Sequence, residues 1–454
     1  MKLTVIGGGG VRSMFLAKSI AQRAQELGIQ TLVFMDNNPE KLRIYGKMAA
    51  HVAHKICPSL AFILTQDAME AVRDADYVIT TIRAGEDLMR TKDEHIALDH
   101  GVLGQETTGA AGFSFAMRSI PALVSYCDLI RAYAKPQVKV FNFTNPAGVV
   151  SQALRDKGYD FTYGICDAPS GMLRQFAALY DADPDTIRGE IYGLNHHSFF
   201  QSIQLHGRNI VPELIENPLA YQKTDMRFFS EDLVRFVGEV PNEYLYYFYY
   251  REQAVANILK AGVTRGDSIC EINEQMTKEL STMDIDNDFE ACLAVFSKWY
   301  GIREANYMAS ETGVTRNIDW HFDINEKDAG GYAGVALKFI EIERLHQKDS
   351  MVLCVPNNGA IDGLLPSDVI EVTCDIDANG CHPHRFANIP PTQMEMIRRT
   401  KAYERLASQA ILQRDQKKAI ECLLLHPLVN SYSLSQSLVS KYIALNADFI
   451  QGWA

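Results

Sequence analysis

The chain has 454 residues, 47% of them hydrophobic, and a formal net charge of −12 at pH 7. This length exceeds the size at which a single core keeps growing, so we expect two subdomains around one site. The acidic balance argues against binding to nucleic acid or to an anionic membrane surface, since either would need a basic footprint.

Targeting and redox signals predict a cytoplasmic protein. The sequence has no run of about 18 uncharged apolar residues, and its N-terminus enters a strand pattern with no basic segment or cleavage site. The nine cysteines are odd in number and scattered through apolar segments. This pattern is typical of reduced thiols rather than of a disulfide framework.

The first third of the chain alternates short β-branched runs with amphipathic helical patterns, which is typical of βαβ units and a parallel sheet. Six strands are predicted there, at Leu3–Ile6, Thr31–Met35, Ala61–Leu64, Tyr77–Ile82, Val138–Asn142 and Tyr163–Ile165. Residues 1–165 are therefore expected to form an α/β domain with a Rossmann-like, doubly wound parallel sheet.

The pattern changes beyond Ile187. The predicted elements are strands at Glu190–Leu194 and Phe199–Leu205, helices around 228–260, 265–280 and 287–300, a strand-rich patch near 351–375, and helices from about 391. Since no repeat or linker separates the two parts, residues 166–454 are predicted to form a second, α+β domain packed closely on the first. We expect it to carry substrate-binding, catalytic and oligomerisation surfaces.

A glycine-rich loop follows the first predicted strand and consists of Gly7, Gly8, Gly9 and Gly10. Glycines let the backbone approach a pyrophosphate, and the N-terminus of the helix behind them favours its charge, with Ser13 as a further donor. Asp36 ends the second strand, where a carboxylate accepts from both ribose hydroxyls and repels a 2′-phosphate. A plain tight turn explains the glycines alone, but the complete unit predicts an NAD site.

Cys166 and His196 each come next to a predicted strand, in stretches rich in polar residues. A structural zinc site usually has four protein ligands, so one thiol and one imidazole are better suited to an open catalytic site. The alternative to a catalytic site is that Cys166 is a packed thiol and His196 a hydrogen-bonded histidine. A rival cluster, Cys381–His384, is denser, but its short spacing and proline suit a loop.

These residues belong to a set of motifs through which the chain resembles glycoside hydrolase family 4, the NAD- and metal-dependent glycosidases. The motifs are the glycine-rich start, the run from Arg83 to Glu94, Gly101–Gly109, Asn142–Gly148, Cys166–Pro169, Gly193–His196 and Gly330–Tyr332. The family is an exception to the rule of two catalytic carboxylates. The resemblance implies a C-terminal part similar to that of lactate and malate dehydrogenases.

The resemblance also implies residue roles. Cys166 and His196 match the family's metal ligands, usually for Mn²⁺, and Asn145 matches a residue that contacts the sugar nearby. Tyr244 resembles the catalytic tyrosine base, although an aromatic helix face would give the same crowded tyrosines. Asp167 follows the cysteine as in the 6-phosphoglucosidases, and we include it among the catalytic candidates.

The family's mechanism explains why hydrolysis needs a redox cofactor. Hydride leaves C3 of the sugar for NAD⁺, which acidifies the C2 proton, and the tyrosine removes that proton while the metal stabilises the enediolate. Elimination expels the aglycone, water adds, and the hydride returns to C3. The cofactor is not consumed.

A substrate 6-phosphate needs cations, and Arg83 and Arg90 follow a parallel strand, with Arg265 as a further candidate. A guanidinium binds phosphate through two parallel hydrogen bonds. The alternative is that both pair with neighbouring carboxylates in a solvated loop. Ser198 and Phe199 resemble the β group, so a 6-phospho-β-glucosidase acting on phosphorylated disaccharides or glucosides is favoured.

The sequence leaves three other functions open: a 6-phospho-α-glucosidase, a simple NAD-dependent 2-hydroxy-acid dehydrogenase and a non-catalytic NAD sensor. The dehydrogenase would need no Cys/His metal site. A homodimer or homotetramer is expected.

Overall fold

The computed structural model describes residues 1–316, 318–327, 333–377 and 380–454. The Gly330–Tyr332 motif lies outside these residues. Within the described part of the chain, none of the helices combines the length and apolar character needed to cross a bilayer.

The N-terminal part alternates strands and helices as predicted. Its strands are β1 (Lys2–Ile6), β2 (Thr31–Met35), β3 (Ala61–Thr65), β4 (Tyr77–Thr80), β5 (Lys139–Asn142) and β6 (Thr162–Gly164). Its helices are α1 (Ser13–Leu27), α2 (Pro39–Lys41), α3 (Lys47–Ile56), α4 (Ala68–Val72), α5 (Glu86–Leu98), α6 (Gly109–Tyr133), α7 (Ala147–Asp156) and α8 (Ala168–Leu179). All six strands pair in parallel, and helices cover the sheet, so its central strands are continuous apolar runs.

A second, antiparallel sheet follows, with a group of helices. Its strands are β7 (Ile187–Leu194), β8 (His197–Leu205), β9 (Arg208–Asn209) and β10 (Val240–Pro241). The helices are α9 (Val211–Glu216), α10 (Ala220–Lys223), α11 (Glu231–Val237), α12 (Tyr246–Tyr249), α13 (Arg251–Ala261), α14 (Arg265–Ser281), α15 (Phe289–Ala305), α16 (Ala309–Thr312) and α17 (Gly334–Arg344). The prediction of a Rossmann-like sheet followed by an α+β region is confirmed.

The last third returns to the first sheet. Its elements are β11 (Asp349–Pro356), β12 (Val369–Asp377), β13 (Gly380–Pro383), α18 (Pro391–Gln413), α19 (Gln416–Leu425) and α20 (Tyr432–Leu445). Strand β11 pairs antiparallel with β6, so one nine-stranded sheet runs in the order β13-β12-β11-β6-β5-β4-β1-β2-β3. Helices α18 to α20 share a core with α6 and α7. The division at residue 165 stays a prediction, since this sheet draws strands from both sides of it.

One predicted helical stretch, around 228–260, is wrong as a single element. Gly238 ends α11 in the left-handed region, at φ 75°, and Pro241 lies in the short strand that follows. A new turn then begins at Asn242, whose side chain accepts from the backbone N–H of Tyr244. Local glycine, proline and capping chemistry therefore divides the stretch into three helices.

The strand order places a crevice at the carboxyl ends of β1 and β4. These strands are neighbours in the sheet, and the connections after them lead to opposite sides, because β2 and β3 lie to one side and β5 and β6 to the other. Ligands bind outside such a reversal of strand order.

Candidate active site

The glycine loop after β1 packs tightly on β2. The backbone N–H groups of Gly7 and Gly8 both donate to the Met35 carbonyl, at 2.9 and 2.8 Å. Gly7 has a φ of +99°, and a Cβ added to Gly8 would lie 2.6 Å from the Phe34 Cβ. Side chains are therefore excluded at both positions, which lets this backbone lie close to a ligand.

Asp36 is oriented by the loop that it faces. Its Oδ2 accepts from the Gly9 N–H and its Oδ1 from the Asn38 N–H, both at 2.9 Å. The Ser13 hydroxyl donates to the Gly8 carbonyl at 2.7 Å, so its hydrogen is used within the loop. The role of Ser13 as a phosphate donor stays a prediction.

A cavity of about 600 Å³ opens in front of this loop. Residues lining it include Gly7, Gly9, Gly10, Asp36, Arg83 and Asn145. The N-terminus of α1, a helix of 15 residues, begins behind the loop, where orphan N–H groups and the helix dipole favour an anion. The closely packed loop, the carboxylate and the helix end fit a dinucleotide.

Cys166 and His196 approach each other from distant segments. Cys166 lies between β6 and α8, and His196 lies in the two-residue tip of the β7–β8 hairpin, since Leu194 pairs with His197. His196 has a φ of 62°, which the tight tip requires. The Cys166 Sγ is 3.6 Å from the His196 Nε2.

The two donors fit a single divalent ion. Metal–sulfur and metal–imidazole bonds of about 2.3 and 2.0 Å leave such donors about 3.5 Å apart. Burial lowers the pKa of His196 to about 4, so the imidazole is neutral and able to bind a metal. Burial, followed by the nearby Glu371, raises the pKa of Cys166 well above its ordinary value, so metal binding would have to displace the thiol proton.

Within the described residues, no group of three or more His, Cys, Asp or Glu side chains is placed to hold a metal. A two-donor site keeps positions open for substrate and water, as a catalytic ion requires. The rival segment forms β13 instead, and His384 contacts Glu190 at 2.8 Å and Asp375 at 3.0 Å.

The ring of Tyr244 stacks on His196, with centroids 3.8 Å apart and an angle of 15° between the planes. Burial, followed by the charge of Glu243, raises the pKa of Tyr244, and a base at this position needs a cation nearby to oppose that shift. The neighbouring Tyr246 and Tyr247 point elsewhere and donate to Glu311. We call Cys166, His196 and Tyr244 the thiol–imidazole cluster.

A buried carboxylate that sequence reasoning missed supports this cluster. Glu371, on β12, accepts from the Asn195 Nδ2 and the Ser198 Oγ, both at 2.9 Å. These two hydrogen bonds hold both sides of the hairpin tip that carries His196. The Asn242 Nδ2 lies 3.4 Å from the same Ser198 Oγ and connects these hydrogen bonds to the turn of Tyr244.

Arg83 and Arg90, the arginines predicted to bind phosphate, both contact Glu106. Sequence reasoning assigned no role to this residue, although it lies in the Gly101–Gly109 motif. Arg83 donates to Glu106 and contacts Asp87 at 3.4 Å. The Arg90 side chain, 4% exposed against 32% for Arg83, contacts Glu94 at 2.8 Å and Glu106 at 3.0 Å. Burial alone would raise the pKa of Glu106, but the two arginines hold it well below its usual range.

The other predicted residues lie around this centre. The Arg265 Nη1 donates to the Asn306 carbonyl at 3.1 Å, and its guanidinium lies 4.8 Å from the ring centroid of Tyr307. Asn145 lines the cavity. Asp167 is the N-cap residue of α8, and burial raises its pKa. Of these three, Asn145 alone is among the residues that line the cavity in front of the glycine loop, and the roles of all three stay predictions.

Two family models match the chain. A model described as "Family 4 glycosyl hydrolase" matches residues 2–181, and one described as "Family 4 glycosyl hydrolase C-terminal domain" matches residues 191–429.

Curated relatives match over nearly their whole length. A 6-phospho-beta-glucosidase of Escherichia coli is 27% identical, over 100% of this chain and 97% of the relative. A phospho-alpha-glucosidase of Clostridium acetobutylicum is 26% identical, over 98% of each. The solved structure of a 6-phospho-beta glucosidase from Thermotoga maritima, with NAD and glucose-6-phosphate, has a TM-score of 0.84 at 24% identity and covers 99% of both chains. The structural likeness establishes the shared fold.

Proposed function

The chain belongs to family 4 of the glycosyl hydrolases, and from that premise we propose that it hydrolyses 6-phospho-glucosides with the help of NAD⁺ and a divalent metal ion. The observation that supports this most is the approach of the Cys166 Sγ to the His196 Nε2, at 3.6 Å, with Tyr244 stacked on the imidazole. An NAD-dependent dehydrogenase would have no use for this pair.

The cofactor and the metal follow from the same site. NAD⁺ would lie against Gly7 to Gly10 and Asp36, and Mn²⁺ between Cys166 and His196. The Thermotoga maritima enzyme was solved with manganese, NAD⁺ and glucose-6-phosphate, which supports the pairing. When bound, the two groups supply hydride transfer at C3 of the sugar and Lewis-acid stabilisation of the adjacent oxygens.

The chain's own residues complete the chemistry. The Oη of Tyr244 takes the proton from C2, and the same atom returns a proton there after the aglycone has left and water has added. Asn145 orients the sugar, and Asp167 at the start of α8 is a further catalytic candidate. Arg83 is the best placed of the three arginines to bind the 6-phosphate because it lines the cavity. Arg90 and Arg265 are not among the lining residues, and together with Arg83 they keep Glu106 ionised.

A 6-phospho-β-glucosidase is the more specific form of the proposal, because Ser198 and Phe199 resemble the β group. The relatives include both α- and β-specific enzymes, so anomeric specificity is tested directly. We also propose a cytoplasmic enzyme that forms a homodimer or homotetramer, which size-exclusion chromatography with light scattering would measure.

The test is a panel of p-nitrophenyl glucosides, α and β, with and without a 6-phosphate, assayed with NAD⁺ and Mn²⁺. We expect turnover of the 6-phospho-β substrate and its loss when either NAD⁺ or Mn²⁺ is left out. Turnover without Mn²⁺, or oxidation of 2-hydroxy acids with accumulation of NADH, would contradict the proposal. Preference for the α substrate would correct the anomeric assignment alone.

A further inference from the structure

A buried chain of oxygen atoms leads away from Tyr244. The Tyr307 Oη lies 3.4 Å from the Tyr244 Oη and donates to the Glu243 Oε1 at 2.6 Å. A phenol has a single hydrogen, and the shorter contact places it toward Glu243. The Tyr307 oxygen can therefore accept the hydrogen of Tyr244 while it donates its own to Glu243.

The chain continues from Glu243 toward the surface. Its carboxyl interacts with that of Asp225. Asp225 Oδ1 accepts from Arg227 and Arg316, whose side chains are 22% and 25% exposed. Arginines do not give up their protons, so the polar path from Tyr244 reaches solvent at Asp225, whose side chain is 6% exposed.

The surroundings suit groups that pass a proton. Burial, followed by the charge of Asp225, raises the pKa of Glu243 well above its ordinary value, so this carboxyl tends to hold a proton and can relay by passing it to Asp225 as another arrives. The guanidinium groups of Arg265 and Arg316 each lie 4.8 Å from the ring centroid of Tyr307. Burial, followed by the charge of Glu243, still raises the pKa of Tyr307 well above its ordinary value, so this phenol passes a proton by gaining one as it gives up its own rather than by holding a negative charge.

We propose that Tyr307 and Glu243 form a proton relay that exchanges the proton held by Tyr244 with solvent. This inference rests on the proposed function, in which the Tyr244 Oη removes the C2 proton. The C2–H bond breaks, its electron pair stays on the sugar, and the proton goes to the Tyr244 Oη. That proton passes to the Tyr307 Oη as the Tyr307 hydrogen passes to the Glu243 Oε1, and the proton that Glu243 held on its other oxygen passes to Asp225 and on to solvent. The reverse transfers, starting from a solvent proton that reaches Glu243 through Asp225, supply the proton that returns to C2.

The test is the isotope at C2 of the glucose 6-phosphate released in D₂O, measured by NMR at low conversion. The wild-type enzyme should release product with mainly deuterium at C2. In Tyr307→Phe, which keeps the ring and its packing, the abstracted protium stays on Tyr244 and returns, so the product should shift to mainly protium. Glu243→Gln should shift it in the same direction, and it tests the relay independently if Tyr307→Phe does not fold.

A matched control is Tyr192→Phe, since Tyr192 is also buried and donates to a glutamate, Glu239, at 2.5 Å, away from the relay. It should leave the isotope pattern unchanged. If the wild-type product carries no deuterium at C2, the proposed mechanism of Tyr244 is wrong. If the wild-type product is deuterated and both relay variants deuterate C2 equally, the base assignment stands and the relay is wrong, because water in the sugar site then exchanges the proton.

Discussion

The glycine-loop cavity and the thiol–imidazole cluster lie side by side but are built in different ways. Gly7 to Gly10 and Asp36 lie within 30 residues of each other, and they hydrogen-bond to the Met35 carbonyl at the end of β2 and to one another. Cys166, His196 and Tyr244 come from three separate segments, and Glu371 on a fourth braces the hairpin tip. The first site is a local motif, whereas the second depends on the assembled fold. Damage to one should therefore leave the other intact.

The largest effect should come from removing a metal donor. Cys166→Ser and His196→Ala should each abolish Mn²⁺-dependent turnover, because an ion held by two protein ligands is lost when one of them is removed. NAD⁺ affinity, measured by isothermal titration, and the melting temperature should stay near wild type. Equal loss of NAD⁺ binding and of folding in both variants would show that these residues are structural and that the two regions are not separable.

The next largest effect concerns the base. Tyr244→Phe keeps the ring against His196 but removes the hydroxyl, so turnover should fall about 10²–10⁴-fold, as expected for loss of a general base. Mn²⁺ and NAD⁺ affinities should be unchanged. Turnover within a few-fold of wild type would move the role to another group, with Tyr246→Phe and Tyr247→Phe as the variants to compare.

Arg83 lies in the wall of the glycine-loop cavity. Arg83→Ala should cost about 1.5–3 kcal/mol in kcat/KM for a 6-phosphorylated substrate, the value of a charge-assisted hydrogen bond. The same kcat/KM for the unphosphorylated glucoside should change less. An equal loss for both substrates would leave Arg83 as a partner of Glu106 and Asp87 only.

The hydrogen bonds of Glu371 beneath the thiol–imidazole cluster can be weakened without changing a metal ligand. Glu371→Gln keeps the shape but puts an amide N–H₂ where an oxygen accepted, so Mn²⁺ affinity should fall about 10–100-fold, as for other partners that orient metal ligands. Titration calorimetry with Mn²⁺ measures this, with Glu239→Gln as a buried control outside the site. Unchanged Mn²⁺ affinity with a lowered melting temperature would make Glu371 a stability residue.

The smallest effect should come from a substitution in the glycine-loop cavity. Asp36→Asn removes the charge but keeps the size, and NAD⁺ affinity should weaken by about 1 kcal/mol, roughly fivefold. Mn²⁺ affinity should not change, and selectivity against NADP⁺ should fall because the repelling carboxylate is gone. NAD⁺ and NADP⁺ titrations would measure both, and a variant that still rejects NADP⁺ would place that selectivity elsewhere.

The parallel strands, the glycine loop and Asp36 could be predicted from the sequence, because apolar runs, glycines and a strand-end carboxylate act through neighbours along the chain. The Cys166, His196 and Tyr244 motifs were visible through the family resemblance, but no spacing predicts that they meet. Two features became visible in the folded chain alone. Strand β11 joins β6 and brings Glu371 under the hairpin, and Glu106 lies between Arg83 and Arg90. Buried charges pair with the groups that the fold brings into contact with them, and residues that lie from tens to hundreds of positions apart leave no local pattern that predicts the pairing.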